Sequence, residues 1–582
     1  MGLEVYHDDH QSYPGMEIQE HGYMTSTSST KFFLILTSLI IFLIVGLSRN
    51  HSVNSDPKGT LLTAQSIIEN QTIKLDNYEN IQKYGYQIYK KNDHYYYYFP
   101  LGSSISSIPF VWVAKYIFSL DMNKTDDDTQ VQKIIIAVVA VLIFLFLFKI
   151  STFYFNDKIS IIIAASFWSA TSLSSTLGQG LWSQDFATLY AAISVYLGLC
   201  FIKDRHRKWW AWLGLALFMA YLTRPTMSLL TISIILFLFF NHQKALAVKV
   251  ALLVTALLVL FVLFSLHEYN QLLPDYYLPK RLESQTFWTA LYGNLLSPSR
   301  GILIFSPFLF IFVLNAKTLF TVLKNDKTLI IFASWIILHL IIISKFPHWW
   351  AGWSYGPRFM IDVLIPIYLL FVILLYEIFK KRSSVYNKLN LIFLAVTVPL
   401  AIYINTYQGL YNPYTKKWNT EPNIDQNPYY LFDWKYPQFL HSKHRHEARR
   451  KEFNEYMKHI ILFDSPKITY SYGWSFPEKN HIWSLGDKSA LSVKLENKTY
   501  HGTLLLNVGA FGKQKVKIYL NNTLVSESSI AGYSNHLKID FDPHILKPED
   551  INTIRFEYSD PHRSENGDRR ILAMALKSLD IE

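Results

Sequence analysis

The sequence predicts a polytopic α-helical membrane protein of about eleven spans followed by an all-β sandwich, and three observations predict it. Hydrophobic residues make up 50% of the 582 residues and charged residues only 17%, which excludes a disordered chain. The charge-free runs are gathered between residues 32 and 405, so a mean hydropathy of +0.14 averages an apolar half with a polar one. Beyond that half, the apolar residues change from helical to alternating spacing.

Residues 1–30 are polar and rich in Ser, Thr and His, and are expected to form a disordered cytoplasmic tail. The first apolar run has no small-residue cleavage site and starts late, so it is expected to remain as an anchor. A bilayer core needs about 20 apolar residues per helix. Runs meeting or approaching that length fall at 32–48, 132–149, 159–177, 185–202, 209–223, 226–240, 246–267, 302–322, 328–345, 360–379 and 389–406. The short run at 226–240 follows Arg224-Pro225, where proline breaks the helical ladder. With the N-terminus inside, the inner loops carry fourteen Lys and Arg residues against six in the short outer loops. That bias sets the orientation and, with an odd number of spans, places the C-terminal part outside. It also accounts for much of the net charge of +11 without nucleic acid. The single cysteine, Cys200, excludes a disulfide scaffold and a cysteine metal site.

Two external regions are long, 49–131 and 407 onward. In the first, DPKGTLLTAQSIIEN (56–70) has helical apolar spacing, and Asp56 before Pro57 suits an N-cap. The stretch 103–120 is interrupted by Ser and Pro and is expected to lie flat on the outer leaflet. The acidic run 126–128 reads as a solvated turn. Six alternating segments between 490 and 582, with Asn521-Asn522 as a hairpin turn, predict the sandwich. The predicted division is therefore a tail (1–30), a membrane domain (31–406), a connecting arm (407–463) and a sandwich (464–582). The basic stretch 441–451 in the arm is read as a solvated helix face, with anionic head groups as the other reading.

Four external strings, FPLGSSISSIP (99–109), LLSPSRGILIFSP (295–307), WWAGWSYGPRFMIDVLIP (349–366) and FDWKYPQFL (432–440), occur in this order. Together they resemble bacterial membrane glycosyltransferases of the GT-C superfamily, relatives of the protein O-mannosyltransferases and the aminoarabinose transferase. The resemblance runs over about residues 30–440, and the tail resembles a β-sandwich appended to some of these transferases. The pattern departs at Leu101 and Ser103, where a second proline or glycine is usual, and at Pro57, which stands where an acidic neighbour of Asp56 is usual.

The resemblance implies an inverting enzyme working at the outer face of the cytoplasmic membrane, with the C-terminal domain extracytoplasmic. It would use a polyprenyl-phosphate sugar donor and a glycan, glycolipid or protein acceptor. Membrane lipids are its other partners, and nucleic acid is not one. The acidic residue after the first span serves as base, and Asp56 holds that position, with Asp76 as the alternative. Arg358, Arg300 and Arg224 are the candidates for the donor phosphate, because a guanidinium offers a planar fork. Interfacial snorkelling is the competing reading for the first two, and an ion pair for Arg224. Tyr98, Trp353, Tyr355 and His348 are candidate substrate contacts beside the ordinary aromatic belt. No cofactor is called for: there is no HExxH, external DxD or nucleotide loop, although a divalent ion through Asp56 is left open. A transporter or flippase for a lipid-linked sugar is the alternative function, and it calls for paired polar residues at the midplane and repeated halves.

Overall fold

The computed structural model describes residues 28–582 apart from 53–54, 204–206, 279–281, 283–285, 381–384, 426, 461–467, 476–480, 496–499, 548–549 and 564–569. Residues 1–27 of the predicted tail lie outside the described residues. The chain divides into two compact units, one of residues up to Thr415 with Pro437–Leu440, the other of Lys416–Tyr436 with His441–Glu582.

The first unit is helical. All eleven predicted runs are helical, but among the described residues six helices are long and apolar enough to cross a membrane singly: Ser28–Gly46, Thr125–Ser151, Ser183–Ile202, Lys244–Tyr269, Arg358–Lys380 and Val385–Gln408. The run 159–177 is bent by 66° between Ser169 and Ser172, and the run 302–322 by 68° between Leu314 and Ala316. Trp210–Thr223, Pro225–Phe240 and Leu329–Ser344 are shorter apolar helices. A hydropathy window registers apolar length and is blind to bends, which is why the run count exceeds the count of straight helices. The Arg358–Lys380 helix is buried along most of its length by its neighbours, whereas Lys244–Tyr269 is mostly exposed within the unit.

Three local expectations are corrected. The helix after the first span begins at Thr60, not Asp56: Gly59 is its N-terminal flanking residue, at φ 103°, and no side chain caps it. A residue with a Cβ at that φ would be strained, so the chain turns at 56–59 and the Asp56 side chain is directed elsewhere. The acidic run 126–128 is the first turn of Thr125–Ser151, with Asp128 buried and accepting from Gln132 Nε2 at 2.8 Å. The Ser and Pro residues of 103–120 do not interrupt it, since Gly102–Phe118 is one helix enclosing Pro109.

The second unit is a β-sandwich with a flanking helix, Lys443–Ile460. One antiparallel sheet runs in the order 468–472, 488–494, 551–558, 513–520, 523–531; the other runs 562–563, 571–581, 503–510, 535–540, with 482–485 pairing on 571–581. The strand Lys513–Leu520 buries Gln514, Val516, Ile518 and Leu520 and exposes the lysines between them, as a period of two requires. Trp474 lies in this core and donates from Nε1 to the Ala490 carbonyl at 2.8 Å. Asn521 and Asn522, at φ 48° and 71°, make the hairpin turn. The basic helix is not wholly solvated. His446 and Arg449 are buried, and the Arg449 guanidinium lies between the rings of Trp418 and Tyr430, 4.5 and 4.2 Å from their centroids.

The start of Gly102–Phe118 meets the end of Trp210–Thr223 so closely that a Cβ on Gly102 would lie 2.5 Å from the Thr223 backbone nitrogen. Gly102→Ala is therefore expected to destabilise the first unit by about 1–3 kcal/mol, as overpacking does. Gly46→Ala, with nothing within 4 Å of the added carbon, serves as the neutral control. Thermal unfolding in detergent reads the difference.

Candidate active site

The segment between Leu329–Ser344 and Arg358–Lys380 turns three times through positive φ, at Ala351, Gly352 and Gly356. Arg300 holds it from below. Its Nε donates to the Trp350 carbonyl at 2.8 Å, Nη2 to the Gly352 carbonyl at 3.0 Å, and Nη1 to the Ser299 carbonyl at 2.7 Å and Gln438 Oε1 at 2.6 Å. Gln438 also accepts from the Gly356 amide at 3.2 Å. Most of the guanidinium's five N–H groups are thus committed to the scaffold. Tyr355 is similarly built in, buried against Phe305 and donating to the Ile404 carbonyl at 2.7 Å.

This loop delivers Arg358. The guanidinium lies flat on the Trp182 ring, 3.8 Å from its centroid, while Nη2 donates to Asp56 Oδ2 at 2.6 Å. Trp182 is fixed by its own Nε1 donating to the Thr176 carbonyl at 3.0 Å. Arg358 Nε is buried and has no hydrogen-bond partner among the described residues.

Asp56 is held by the turn in which it sits. Its carbonyl accepts from the Tyr97 hydroxyl at 2.6 Å, its Oδ1 from the Tyr86 hydroxyl at 2.9 Å, and the neighbouring Ser55 carbonyl from Gln87 Nε2 at 3.3 Å. The carboxylate is partly exposed, 24% against 10% for the Arg358 side chain, so it faces both the protein and its surroundings. The Tyr86 phenol is pushed up to about 12, first by burial and then by the Asp56 charge. The Tyr97 phenol is raised further by complete burial. Both remain neutral donors at physiological pH.

A second ion pair lies beside the first. Arg224, extended at the break before Pro225, donates from Nε to Asp362 Oδ2 at 2.9 Å and from Nη1 to the Ser183 hydroxyl at 3.0 Å. Thr226 Oγ1 donates to the same Asp362 oxygen at 2.6 Å. Asp362 stands four residues after Arg358 and Ser183 one after Trp182, so the same two segments present both pairs. Asp56 acts electrostatically on Arg224, and Arg358 on the buried Asp185. The arrangement is a partly exposed carboxylate with two guanidinium groups behind it.

Of the residues expected from sequence, Asp56, Arg358 and Arg224 are brought together. Arg300 and Tyr355 are structural supports of the loop that carries Arg358. Asp76 accepts from the Tyr95 amide at 2.8 Å and meets His94 Nδ1 at 2.7 Å, tying a loop to the hairpin 88–97. Tyr96 and Tyr97 point to opposite faces of that hairpin, and both are buried. Tyr98 packs on Tyr89, Phe99 and Tyr276, and Phe99 in turn meets Tyr86. His348 stacks on Trp350 with centroids 4.2 Å apart, and Trp353 is half exposed. Among the described residues no three His, Cys, Asp or Glu side chains are grouped to hold a metal ion. Sequence reasoning missed Tyr86, Trp182, Ser183 and Asp362. The spacing of Asp362 from Arg358 was a usable signal, whereas nothing local marks Tyr86.

Residues 108–268 match the model of the dolichyl-phosphate-mannose-protein mannosyltransferase family. The protein O-mannosyltransferases are among the relatives of the superfamily that the four short strings resemble, and the match supports a membrane glycosyltransferase. The matched stretch contains Trp182, Ser183 and Arg224, while Asp56 and Arg358 lie outside it. Among solved structures, ArnT from Cupriavidus metallidurans bound to undecaprenyl phosphate is similar at 12% identity and a TM-score of 0.41, over 76% of this chain and 82% of that one. AglB from Archaeoglobus fulgidus, an archaeal oligosaccharyltransferase in complex with an inhibitory peptide and a dolichol-phosphate, is similar at 13% identity and 0.40, over 71% and 60%. The arabinosyltransferase EmbB from Mycobacterium smegmatis is similar at 10% and 0.37, over 95% and 64%. No curated protein gave a significant match.

Removing one partner of a buried ion pair leaves an uncompensated charge, at a cost of about 3–5 kcal/mol. Asp362→Leu is expected to lower the thermal midpoint of the solubilised protein sharply. The double variant Arg224→Met with Asp362→Leu is expected to recover most of that loss, since no lone charge remains.

Proposed function

We propose that the protein transfers a sugar from a polyprenyl-phosphate donor to an envelope glycan, glycolipid or protein, with inversion, at the outer face of the cytoplasmic membrane. The observation that carries this reading is the Asp56–Arg358 pair: a partly exposed carboxylate bound through one oxygen to a guanidinium whose Nε has no partner among the described residues. Nε and Nη2 form one edge of the guanidinium, the fork that suits a phosphate.

In the reaction, the acceptor hydroxyl gives its proton to the Asp56 carboxylate as its oxygen bonds to the anomeric carbon. The bond from that carbon to the phosphate oxygen breaks, and its electron pair leaves with the lipid phosphate. Arg358 receives that charge in surroundings that contain little water, where a fixed cation acts most strongly. Asp362 holds Arg224, the second guanidinium, in place beside Arg358. Attack from the side opposite the departing phosphate inverts the centre. The orientation drawn from the loop charges puts the N-terminus in the cytoplasm and this site outside.

The buried Arg224–Asp362 pair is a feature that a transporter of lipid-linked sugars would share. A transporter has no use for a base, so Asp56 separates the two readings. In cells lacking the native gene, Asp56→Asn is expected to insert normally and to reduce transfer by about 10²–10⁴-fold, the usual contribution of a general base. Mass spectrometry of the envelope glycans would show the same missing sugar as in the deletion. A full complement of that sugar in the variant would remove Asp56 as base. Arg358→Lys keeps the charge but loses the fork, and is expected to lower kcat/KM for the donor by about tenfold or more, read in membranes supplied with lipid-linked sugar extract.

A further inference from the structure

The carboxylate proposed as base has neither oxygen free: Arg358 holds Oδ2 at 2.6 Å and the Tyr86 hydroxyl donates to Oδ1 at 2.9 Å. An acceptor hydroxyl that is to give its proton to Asp56 must make the same contact the phenol makes. The Oδ1 side is the one to which it can come, because Oδ2 faces the buried cation.

Three features set Tyr86 apart from the other side chains around this site. It is 60% exposed, although Tyr97 and Arg358 beside it are buried. Among the described residues its ring has one edge-on aromatic neighbour, Phe99, at 6.2 Å between centroids. Its hydroxyl has a second partner already at hand, Ser55 Oγ at 3.2 Å, so leaving Asp56 does not leave the phenol unsatisfied. The backbone is suited to a change of position as well. Gly85 takes φ 65° and ψ −143°, a conformation open essentially to glycine alone, and only Gln87 Oε1 at 3.5 Å comes near where its Cβ would be. Conformation, and not lack of space, is therefore what calls for glycine next to Tyr86.

We infer that Tyr86 is the positioning residue of the acceptor site: its hydroxyl covers Asp56 Oδ1 until an acceptor hydroxyl displaces it onto Ser55, and its ring then forms, with Phe99, the wall against which the acceptor lies. This rests on Asp56 being the base. The consequence is selectivity between acceptors. Water makes the same hydrogen bond but gains nothing from the aromatic wall, so it competes poorly with the phenol for Oδ1. A larger hydroxyl-bearing acceptor has contact area with both rings and displaces the phenol more readily. The phenol is itself no base, since a tyrosine hydroxyl is protonated at physiological pH.

The first test needs no substrate. Dicyclohexylcarbodiimide adds to a carboxyl oxygen, which bonds to the carbodiimide carbon while the proton goes to nitrogen, and the adduct at residue 56 is measured by peptide mass spectrometry of the full-length protein. Asp76, held by His94 and the Tyr95 amide, is the internal reference. Tyr86→Phe is expected to raise labelling of Asp56 by about tenfold, the factor that a hydrogen bond to a charged group commands. Ser55→Ala removes the phenol's second partner and is expected to leave labelling at or below the wild-type level. A general loosening of the turn would raise both, so a rise in both variants, or none in Tyr86→Phe, overturns the proposal. The second test uses lipid-linked sugars extracted from the expressing cells' membranes. Tyr86→Ala is expected to increase release of free sugar relative to transfer severalfold, and an unchanged ratio overturns the selectivity. Retained transfer by Asp56→Asn would instead overturn the base. The labelling result does not depend on turnover, so the two failures are told apart.

Discussion

A guanidinium withdrawn from water in an apolar unit requires compensation on its faces and its edges, and Arg358 shows how much structure that requires. One face is met by Trp182, one edge in part by Asp56. For Trp182 to lie there, its indole must be tied to the Thr176 carbonyl. For Asp56 to reach it, the chain must turn at 56–59 and start its helix late, through a glycine at φ 103°. For Arg358 itself to enter at the top of its helix, the preceding loop must pass three positive φ values, and Arg300 must hold that loop's carbonyls. Charge compensation at one residue thus fixes the course of three separate segments.

The same requirement explains why a second pair lies alongside. Arg224 breaks the helical ladder ahead of Pro225 and is buried, so Asp362 and Ser183 are needed against it. Because Asp362 follows Arg358 by one helical turn, the segment that supplies a cation to Asp56 supplies an anion to Arg224. The two pairs alternate in sign and neutralise one another at short range. In the proposed reaction the donor phosphate enters as a monoanionic diester and gains its second charge as it leaves, and the cations that meet that charge are already in position, so the protein reorganises little to receive it.

How far this was legible in the sequence follows from which contacts are local. Arg358 and Arg224 stand out as charges beside apolar runs, and Asp56 was named through the resemblance, as the acidic residue after the first span. Whether Asp56 caps a helix could not be decided, since Asp-Pro before an amphipathic run suits a cap equally well; the φ of Gly59 decides it. The part Arg300 plays in holding the loop could not be read, because two of its partners are backbone carbonyls some 50 residues away, which leave no trace in side-chain pattern. Tyr86 meets Asp56 across 30 residues and is one tyrosine among 38. In the sandwich, the alternating pattern followed the edge strand Thr523–Ala531 only as far as Val525, because the strand is largely exposed and shows no clear alternation, whereas Lys513–Leu520 beside it alternates fully. Bends at Ala170 and Asn315 were invisible to hydropathy for the reason that it sums composition and ignores direction.

The division of labour proposed around Asp56 follows from these constraints. Groups that stabilise charge gain from burial, because a low dielectric strengthens them, and they are rigidly held. Groups that must admit an acceptor cannot be buried, because the acceptor arrives from outside. Arg358, Trp182, Arg224 and Asp362 are of the first kind and are packed among helices. Tyr86 is of the second, exposed and attached through a glycine. Asp56 must serve both, and it is placed accordingly, with one oxygen on a buried cation and the other on an exposed phenol. A carboxylate buried on both sides would be unreachable, and one exposed on both sides would lack the cation that receives the leaving charge; a turn at the end of a span is where the two conditions meet.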